Sequence, residues 1–192
     1  MLKHRPFYYV RHGQTDWNLE HRAQGQQDVD LNDTGRTQAE AAVPRLLDKG
    51  IATICCSPLK RARETASILG KALGLPTVIV EDLKEANWGV REGEYRGAWF
   101  SEWRSGAVTP ARAEPFDAFL LRALQGVNTA LECTGPVLIV AHGGVYWAVE
   151  KETGIPLGDA VPNCTPVFHE PPSSGRLRWS VEVLQGSAGR CG

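Results

Sequence analysis

Two short apolar runs, residues 7–10 and 137–141, each end on a histidine with glycine directly behind it: Arg11-His12-Gly13 after the first, His142-Gly143-Gly144 after the second. Strand side chains alternate between faces, and the alternation lapses where the strand ends, so Arg11 and His12 need not point apart. Gly13 permits the sharp turn that would bring both onto one ligand. A third apolar run, 51–56, stops at Ser57-Pro58. A chain that presents polar groups at several strand ends suits an α/β sheet, where ligands bind beyond the carboxyl ends of parallel strands.

The rest of the chain alternates accordingly. After a polar loop from Gly13 to about Asn32, Ala39, Ala42, Val43, Leu46 and Leu47 share a helical face that stops at Gly50. Pro44 inside that pattern predicts a kink or an early break. Residues 59–73 read as a helix with Ala62, Thr65, Ala66, Leu69 and Leu73 inward and Pro58 as its first helical position. Residues 77–80 form a short strand, 98–104 a short aromatic helix and 116–132 a longer amphipathic one. Beyond strand 137–141 come a helix over 144–153 and two runs, 165–169 and 177–184, that suit a hairpin around Pro171-Pro172-Ser173-Ser174-Gly175. The expected architecture is one domain, residues 1–184, with a largely parallel central sheet and a frayed tail over 185–192.

A net charge of −1 over 192 residues gives no general pull toward nucleic acid or an anionic membrane, so affinity for an anion must come from local arginines. No apolar stretch approaches membrane-spanning length, and Lys3, His4, Arg5 and Pro6 interrupt any signal-peptide core, which points to a cytoplasmic protein. Five cysteines, an odd number, show no metal-ligand spacing. Cys55 and Cys56 are neighbours in a strand, face opposite ways, and read as reduced, buried thiols.

Three strand ends then supply one set of groups: Arg11 and His12, Ser57 with Arg61 one helical turn on, and His142 with the Gly143-Gly144 helix start. Two of these are helix N-termini, whose free N–H groups favour an anion. Guanidinium forks bond two phosphate oxygens and keep their charge through a reaction, so the set fits a phosphate monoester dianion. A neutral imidazole attacks through one nitrogen only if the other is held as a donor, and a backbone carbonyl is the expected holder for His12. The leaving group needs a proton donor. Glu85 is the first candidate, since bound phosphate and nearby aromatic surface would favour its neutral acid, and Glu92 competes with it.

These residues resemble the histidine phosphatase superfamily, also called the phosphoglycerate mutase-like family. The resemblance runs from about residue 7 to about residue 169. It rests on Arg11-His12-Gly13-Gln14-Thr15 with Trp17-Asn18, on Arg22, Gln24-Gly25 and Asp28-Val29-Asp30-Leu31, on Ser57-Pro58-Leu59-Lys60-Arg61-Ala62 with Thr65-Ala66, on Leu83, Glu85, Gly89 and Glu92-Gly93, and on Val140-Ala141-His142-Gly143-Gly144. It implies a three-layer α/β/α sandwich, no metal or other cofactor, and a two-step mechanism through a phosphohistidine. By position, His12 would be the nucleophile, Glu85 the acid and then base, and Arg11, Arg61 and His142 the phosphate pocket, with Asn18, Gln24, Gly25 and Gly143 binding substrate. Phosphoglycerate mutases carry Glu-Arg-His-Tyr-Gly and a longer insertion where this chain has Glu85-Ala86-Asn87-Trp88-Gly89 and a short segment over 93–136. The departure favours the small phosphatase branch, acting on a small phosphorylated metabolite as monomer or homodimer. Mutase-type phosphotransfer and a non-catalytic phospho-ligand module are the alternatives.

Several residues have plainer readings. Trp99, Phe100 and Trp103 either roof the pocket or pack as ordinary core. Glu92 and Trp88 support the loop that carries Glu85. Asn163-Cys164 reads as a turn before the C-terminal strand, and His4, His21 and His169 as surface.

Overall fold

The computed structural model describes residues 1–157 and 161–185. The expected tail, 185–192, therefore lies outside the described residues except for Gln185. The elements in chain order are β1 (Phe7–Arg11), α1 (Asp16–Leu19), α2 (Asp33–Leu46), β2 (Thr53–Cys56), α3 (Lys60–Leu73), β3 (Thr77–Ile79), α4 (Ala98–Arg104), α5 (Phe116–Ala130), β4 (Val137–Ala141), α6 (Gly143–Thr153), β5 (Val167–Glu170) and β6 (Ser180–Val183), with single 3-10 turns at Glu81–Leu83 and Gly89–Arg91.

Among the described residues six strands make one sheet in the order β3-β2-β4-β1-β5-β6. The first four are mutually parallel, and β5 and β6 join antiparallel at the β1 side. Strand alternation then divides the core in two. Phe7, Tyr9, Cys55, Val137, Ile139 and Ala141 pack with Phe119, Ala123 and Val127 of α5 and Val145 and Val149 of α6. Tyr8, Val10, Ile54, Cys56, Leu138 and Val140 pack on the other face with Ala39, Ala42 and Leu46 of α2 and Ala66 and Leu69 of α3. The result is the expected α/β/α sandwich, with Cys55 and Cys56 in opposite layers.

Local differences have local causes. The loop after β1 contains the one-turn helix α1, nucleated by a capping box in which Thr15 and Asn18 bond each other's backbone N–H groups. Helix α2 runs through Pro44 but ends at Leu46, short of Gly50, and the Leu47 N–H closes the last turn on Val43 O. A proline this close to the end forfeits one helical bond and leaves little helix beyond it to break. Pro58 is not the first helical residue: Leu59 is the N-cap and donates its N–H to Ser57 Oγ at 3.3 Å. His169 is fully buried rather than on the surface, because β5 turns it toward the core, where its ring stacks on Phe7 at 4.3 Å and its Nε2 lies 2.8 Å from the Tyr146 hydroxyl.

The register places the site. Arg11 pairs with Ala141 and Cys56 with Val140, so the residues that follow β1, β2 and β4 emerge side by side beyond one edge. His12 N–H donates to Ala141 O at 2.9 Å and Ser57 N–H to Val140 O at 3.1 Å, carrying the sheet pattern one residue past each strand.

Candidate active site

His12 is buried at the end of β1, its Nδ1 2.7 Å from Gly13 O, the backbone carbonyl that fixes a neutral tautomer with Nε2 bare. The turn there depends on two glycines. A Cβ on Gly13 would stand 2.4 Å from Gly35 O, and one on Gly35 would stand 2.1 Å from Gln14 O, so the loop crosses the first turn of α2 only because both lack side chains. Burial, followed by the charges of Arg61 and Arg11, holds the His12 pKa well below the usual imidazole range. Arg11 reaches across the sheet end, donating from Nη1 to Val161 O at 3.0 Å. Asn163 is more than a turn residue: its Nδ2 donates to His12 O at 2.6 Å, and Cys164 N–H donates to Arg11 O at 2.9 Å.

Helix α3 delivers Arg61, which is buried with two of its nitrogens committed: Nη1 to Gln27 O and Nη2 to Gly25 O, both 2.8 Å. Desolvation brings its pKa down to about 10, which leaves it charged at neutral pH. Gly25 holds its carbonyl in place with φ +55°, and a Cβ there would meet Glu92 Oε1 at 2.1 Å. Glu92 ties that loop to the Glu85 loop, its Oε1 accepting Gln26 N–H at 2.9 Å and Trp88 N–H at 3.3 Å. Gln24 is buried, with Oε1 lacking a partner. Asn18 spends its Oδ1 on Thr15 N–H at 3.2 Å, while its amide nitrogen makes no hydrogen bond to the described residues.

His142 is the N-cap of α6, its ring centroid 5.2 Å from that of His12. Its Nε2 lies 2.7 Å from Ser57 Oγ, and its pKa is well below the usual range through burial and then Arg61. Glu85 arrives from the loop after β3, and both its oxygens are engaged by backbone: Oε1 accepts Ala86 N–H at 3.0 Å and Oε2 accepts Gly144 N–H at 3.1 Å. A Cβ on Gly144 would stand 2.2 Å from Glu85 Oε1, so that glycine is what admits the carboxylate. Gly143 instead lies beside Arg11, with a hypothetical Cβ at 3.7 Å from Nε.

The structure thus brings Arg11, His12, Arg61, Glu85, His142 and Gly143 to one place, with Gly25 one step behind Arg61. Around them Arg11 Nε, Arg61 Nε and His142 Nδ1 are buried without a hydrogen-bond partner. Buried donors are normally satisfied, and three orphans beside two imidazoles mark where an oxyanion would sit. A cavity of about 70 Å³ adjoins it, lined by Arg11, Glu85, Trp88, Arg96, Phe100, Arg104, Gly143, Gly144 and Trp147. Of the three aromatics in α4, Phe100 lines it, whereas Trp103 is fully buried core and Trp99 packs edge-on against Trp88 and Phe100. Among the described residues no three His, Cys, Asp or Glu side chains converge as a metal site would require.

Sequence reasoning missed three contributors, Arg122, Arg96 and Arg104, and placed Ser57 at the site without a partner. Arg122 of α5 clamps the Glu85 loop, donating to Asp82 O, Lys84 O and Glu85 O while pairing with Glu114 at 2.6 Å. Ser57 proves to be the partner of His142. Arg96 and Arg104 line the cavity, and the spacing Arg96, Phe100, Arg104, four residues apart, was a signal that could have found them.

The family model described as histidine phosphatase superfamily (branch 1) matches residues 7–160. An uncharacterized phosphatase, PhoE, of Bacillus subtilis is 38% identical over 148 residues, 74% of each chain. Glucosyl-3-phosphoglycerate phosphatase of Mycobacterium tuberculosis is 34% identical over 167 residues, 77% of this chain and 74% of its own. A metal-independent phosphoserine phosphatase of Arabidopsis thaliana is 36% identical over 155 residues, 73% of this chain and 65% of its own. The solved mycobacterial glucosyl-3-phosphoglycerate phosphatase in complex with VO3 superposes with a TM-score of 0.78 at 28% identity, covering 95% of this chain and 100% of that one. The α-ribazole phosphatase of Shigella flexneri shares the fold, with a TM-score of 0.79 at 24% identity, covering 95% of this chain and 96% of that one.

Proposed function

Because the chain belongs to the histidine phosphatase superfamily, branch 1, we propose that it is a metal-independent phosphomonoesterase that works through a phosphohistidine on His12. The observation that carries this reading is the trio of buried, unpartnered donors, Arg11 Nε, Arg61 Nε and His142 Nδ1, around an imidazole whose Nδ1 is already committed to a carbonyl.

The chemistry follows from those atoms. His12 Nε2 attacks phosphorus in line and the P–O bond to the leaving group breaks, with Glu85 giving that oxygen its proton. Charge spreads over the three equatorial oxygens, and guanidinium N–H groups fixed in advance stabilise it there without reorganising. His142 adds a neutral donor: with the Ser57 hydrogen given to Nε2, its free Nδ1 carries the hydrogen that faces the phosphoryl group. Glu85, now ionised, takes a proton from water, which attacks the phosphohistidine and releases phosphate. Asn18 offers its uncommitted amide nitrogen to the same group.

The substrate class we assign is a small phosphorylated metabolite, in keeping with relatives named for glucosyl-3-phosphoglycerate and phosphoserine. Transfer to water rather than back to a sugar acid fits Ala86 after Glu85, where a mutase would carry arginine. Residues 1–184 form the one functional unit in this reading, and the free thiols Cys55, Cys56, Cys133 and Cys164 suit the reducing cytoplasm. Release of nitrophenolate from p-nitrophenyl phosphate, followed by a panel of phosphometabolites, tests the proposal. No turnover of any ester would reduce the protein to a phospho-ligand binder.

A further inference from the structure

The turn after β1 carries a set of hydrogen bonds that the phosphoryl pocket does not use. His12 and Gly13 share one planar peptide unit, and Gly13 and Gln14 share the next, so the C=O and N–H of each unit turn together and point opposite ways. The first unit is gripped at both ends: His12 O accepts from Asn163 Nδ2 at 2.6 Å, and Gly13 N–H donates to Thr65 Oγ1 at 3.0 Å. Thr65 is fully buried and gives its own hydrogen to Arg61 O at 2.7 Å, which leaves its oxygen to accept. That unit is fixed from two sides.

The second unit bears directly on the nucleophile. Its carbonyl, Gly13 O, lies 2.7 Å from His12 Nδ1, and its N–H, on Gln14, donates to Gln38 Oε1 at 2.9 Å. Rotation of this unit pivots on Gly13, the residue type that resists such a turn least. Among the described residues Gln38 is the only partner of the Gln14 N–H. It stands on α2 three residues after Gly35, is half-buried, and does not line the cavity. Contact with Gly35 sets how close the loop comes to α2, whereas the hydrogen bond to Gln38 sets how the peptide is turned.

We propose that Gln38 is a positioning residue for the nucleophile, acting through the Gly13–Gln14 peptide to keep Gly13 O on Nδ1 and so keep Nε2 of His12 bare. This rests on the phosphohistidine reading above and deepens it. A neutral imidazole carries one hydrogen, and if the carbonyl turns away that hydrogen is free to reside on Nε2, where it blocks attack. The side chain that selects the reactive nitrogen thus lies 24 residues from the N–H it holds and touches no substrate. Only its amide oxygen is used, so glutamate preserves the contact, and methionine, of similar length and helix propensity, does not.

The test compares Gln38→Met and Gln38→Glu with the wild type in the full chain. Long-range proton–nitrogen correlation spectra of the unreacted protein near neutral pH, with the His12 signals assigned by their absence from His12→Ala, read the tautomer. The hydrogen should sit on Nδ1 in the wild type and in Gln38→Glu, and be shared between both nitrogens in Gln38→Met. Because only the fraction with a bare Nε2 reacts, kcat/KM of Gln38→Met should fall by about tenfold or more, for p-nitrophenyl and alkyl phosphates alike. Gln38→Glu should keep most of the wild-type value. Competitive inhibition by inorganic phosphate, which reports the arginine pocket, should be equal in all three proteins. A Gln38→Met protein with the wild-type tautomer overturns the positioning role, and so does a fall in kcat/KM that Gln38→Glu shares or that weaker phosphate inhibition accompanies. Absence of turnover and of phosphoenzyme in the wild type instead overturns the phosphatase reading, while the tautomer still decides whether Gln38 holds His12.

Discussion

Gly13 O lies 2.7 Å from Nδ1 of His12, so the residue that makes the turn after β1 also settles which nitrogen of its neighbour is free. Nucleophilicity is thereby confined to Nε2, and burial with two nearby guanidiniums keeps the ring neutral. A histidine with a lowered pKa stays unprotonated further into acid. The limb of kcat/KM that reports its protonation should therefore fall well below the ordinary imidazole value of about 6.5. His12→Ala should abolish turnover with the fold intact by circular dichroism, and quenching the wild type without acid should trap an acid-labile phosphoenzyme. Near-normal activity in the variant would remove His12 from the mechanism.

Metal dependence follows from the donor set. The anion is met by guanidinium and imidazole groups, and no carboxylate or thiolate cluster of ligand spacing stands among the described residues. Activity should survive EDTA, and vanadate, which mimics a five-coordinate phosphoryl centre, should inhibit competitively. Loss on chelation that zinc or magnesium restores would contradict the reading.

The pair Gly143 and Gly144 separates packing from chemistry. At Gly144 a methyl group would stand 2.2 Å from Glu85 Oε1 and 3.0 Å from the Phe119 ring, so Gly144→Ala must displace the carboxylate that the same residue's N–H now holds. The expected loss in kcat/KM is on the order of 10²-fold, the scale of general acid catalysis. Gly143→Ala, with 3.7 Å to Arg11 Nε, should fold with an unchanged thermal midpoint. A fully active Gly144→Ala protein would mean that Glu85 need not sit where it does.

His169 carries a stability prediction. Burial pushes its pKa down to about 3, while the unfolded chain binds that proton near the ordinary value of about 6.5. Between those two values only the unfolded state is protonated. The contribution is therefore fully present above about pH 6.5 and is lost as pH falls, by up to about 1.4 kcal/mol per pH unit. His12 and His142, also buried and neutral, act in the same direction. His169→Gln removes one titration and keeps a polar partner for the Tyr146 hydroxyl. Urea unfolding at pH 5 and pH 7 should show a smaller difference in the variant, and an unchanged difference would show that His169 does not titrate with folding.

What could be read from the chain beforehand was whatever local pattern encodes. Short continuous apolar runs gave β1, β2 and β4, and the polar groups just past each run were named from where it stopped, so Arg11, His12, Arg61 and His142 were legible. Arg122 was not, because its role depends on α5 packing against the loop at Asp82–Glu85, about 40 residues away in sequence. His169 was misread for a similar reason: alternation tells that one face of β5 is buried, but only the antiparallel pairing with β1 decides which. Gly35 carries no signal of its own in the sequence, and its need for a bare Cα appears only once the strand-end loop lies across it.

The choice of acid lies between Glu85 and Glu92, and the two have different surroundings. Glu92 is occupied in joining two loops, through Gln26 N–H, Trp88 N–H and Gln27 Nε2 at 2.9 Å, and does not line the cavity. Glu85 lines it beside Arg11 and Arg96. If Glu85 protonates the departing oxygen, its removal should matter most when that oxygen leaves badly, because an alkoxide needs the proton and a nitrophenolate hardly does. Glu85→Gln keeps the shape and removes the acid, so the loss in kcat/KM should be on the order of 10²-fold or more for alkyl phosphates and clearly smaller for p-nitrophenyl phosphate. Arg61→Ala strips charge from the phosphoryl group itself and should slow both ester types by similar factors. Glu92→Gln should lower the thermal midpoint without separating the two esters. If Glu92→Gln shows the leaving-group dependence and Glu85→Gln does not, the acid is the wrong glutamate.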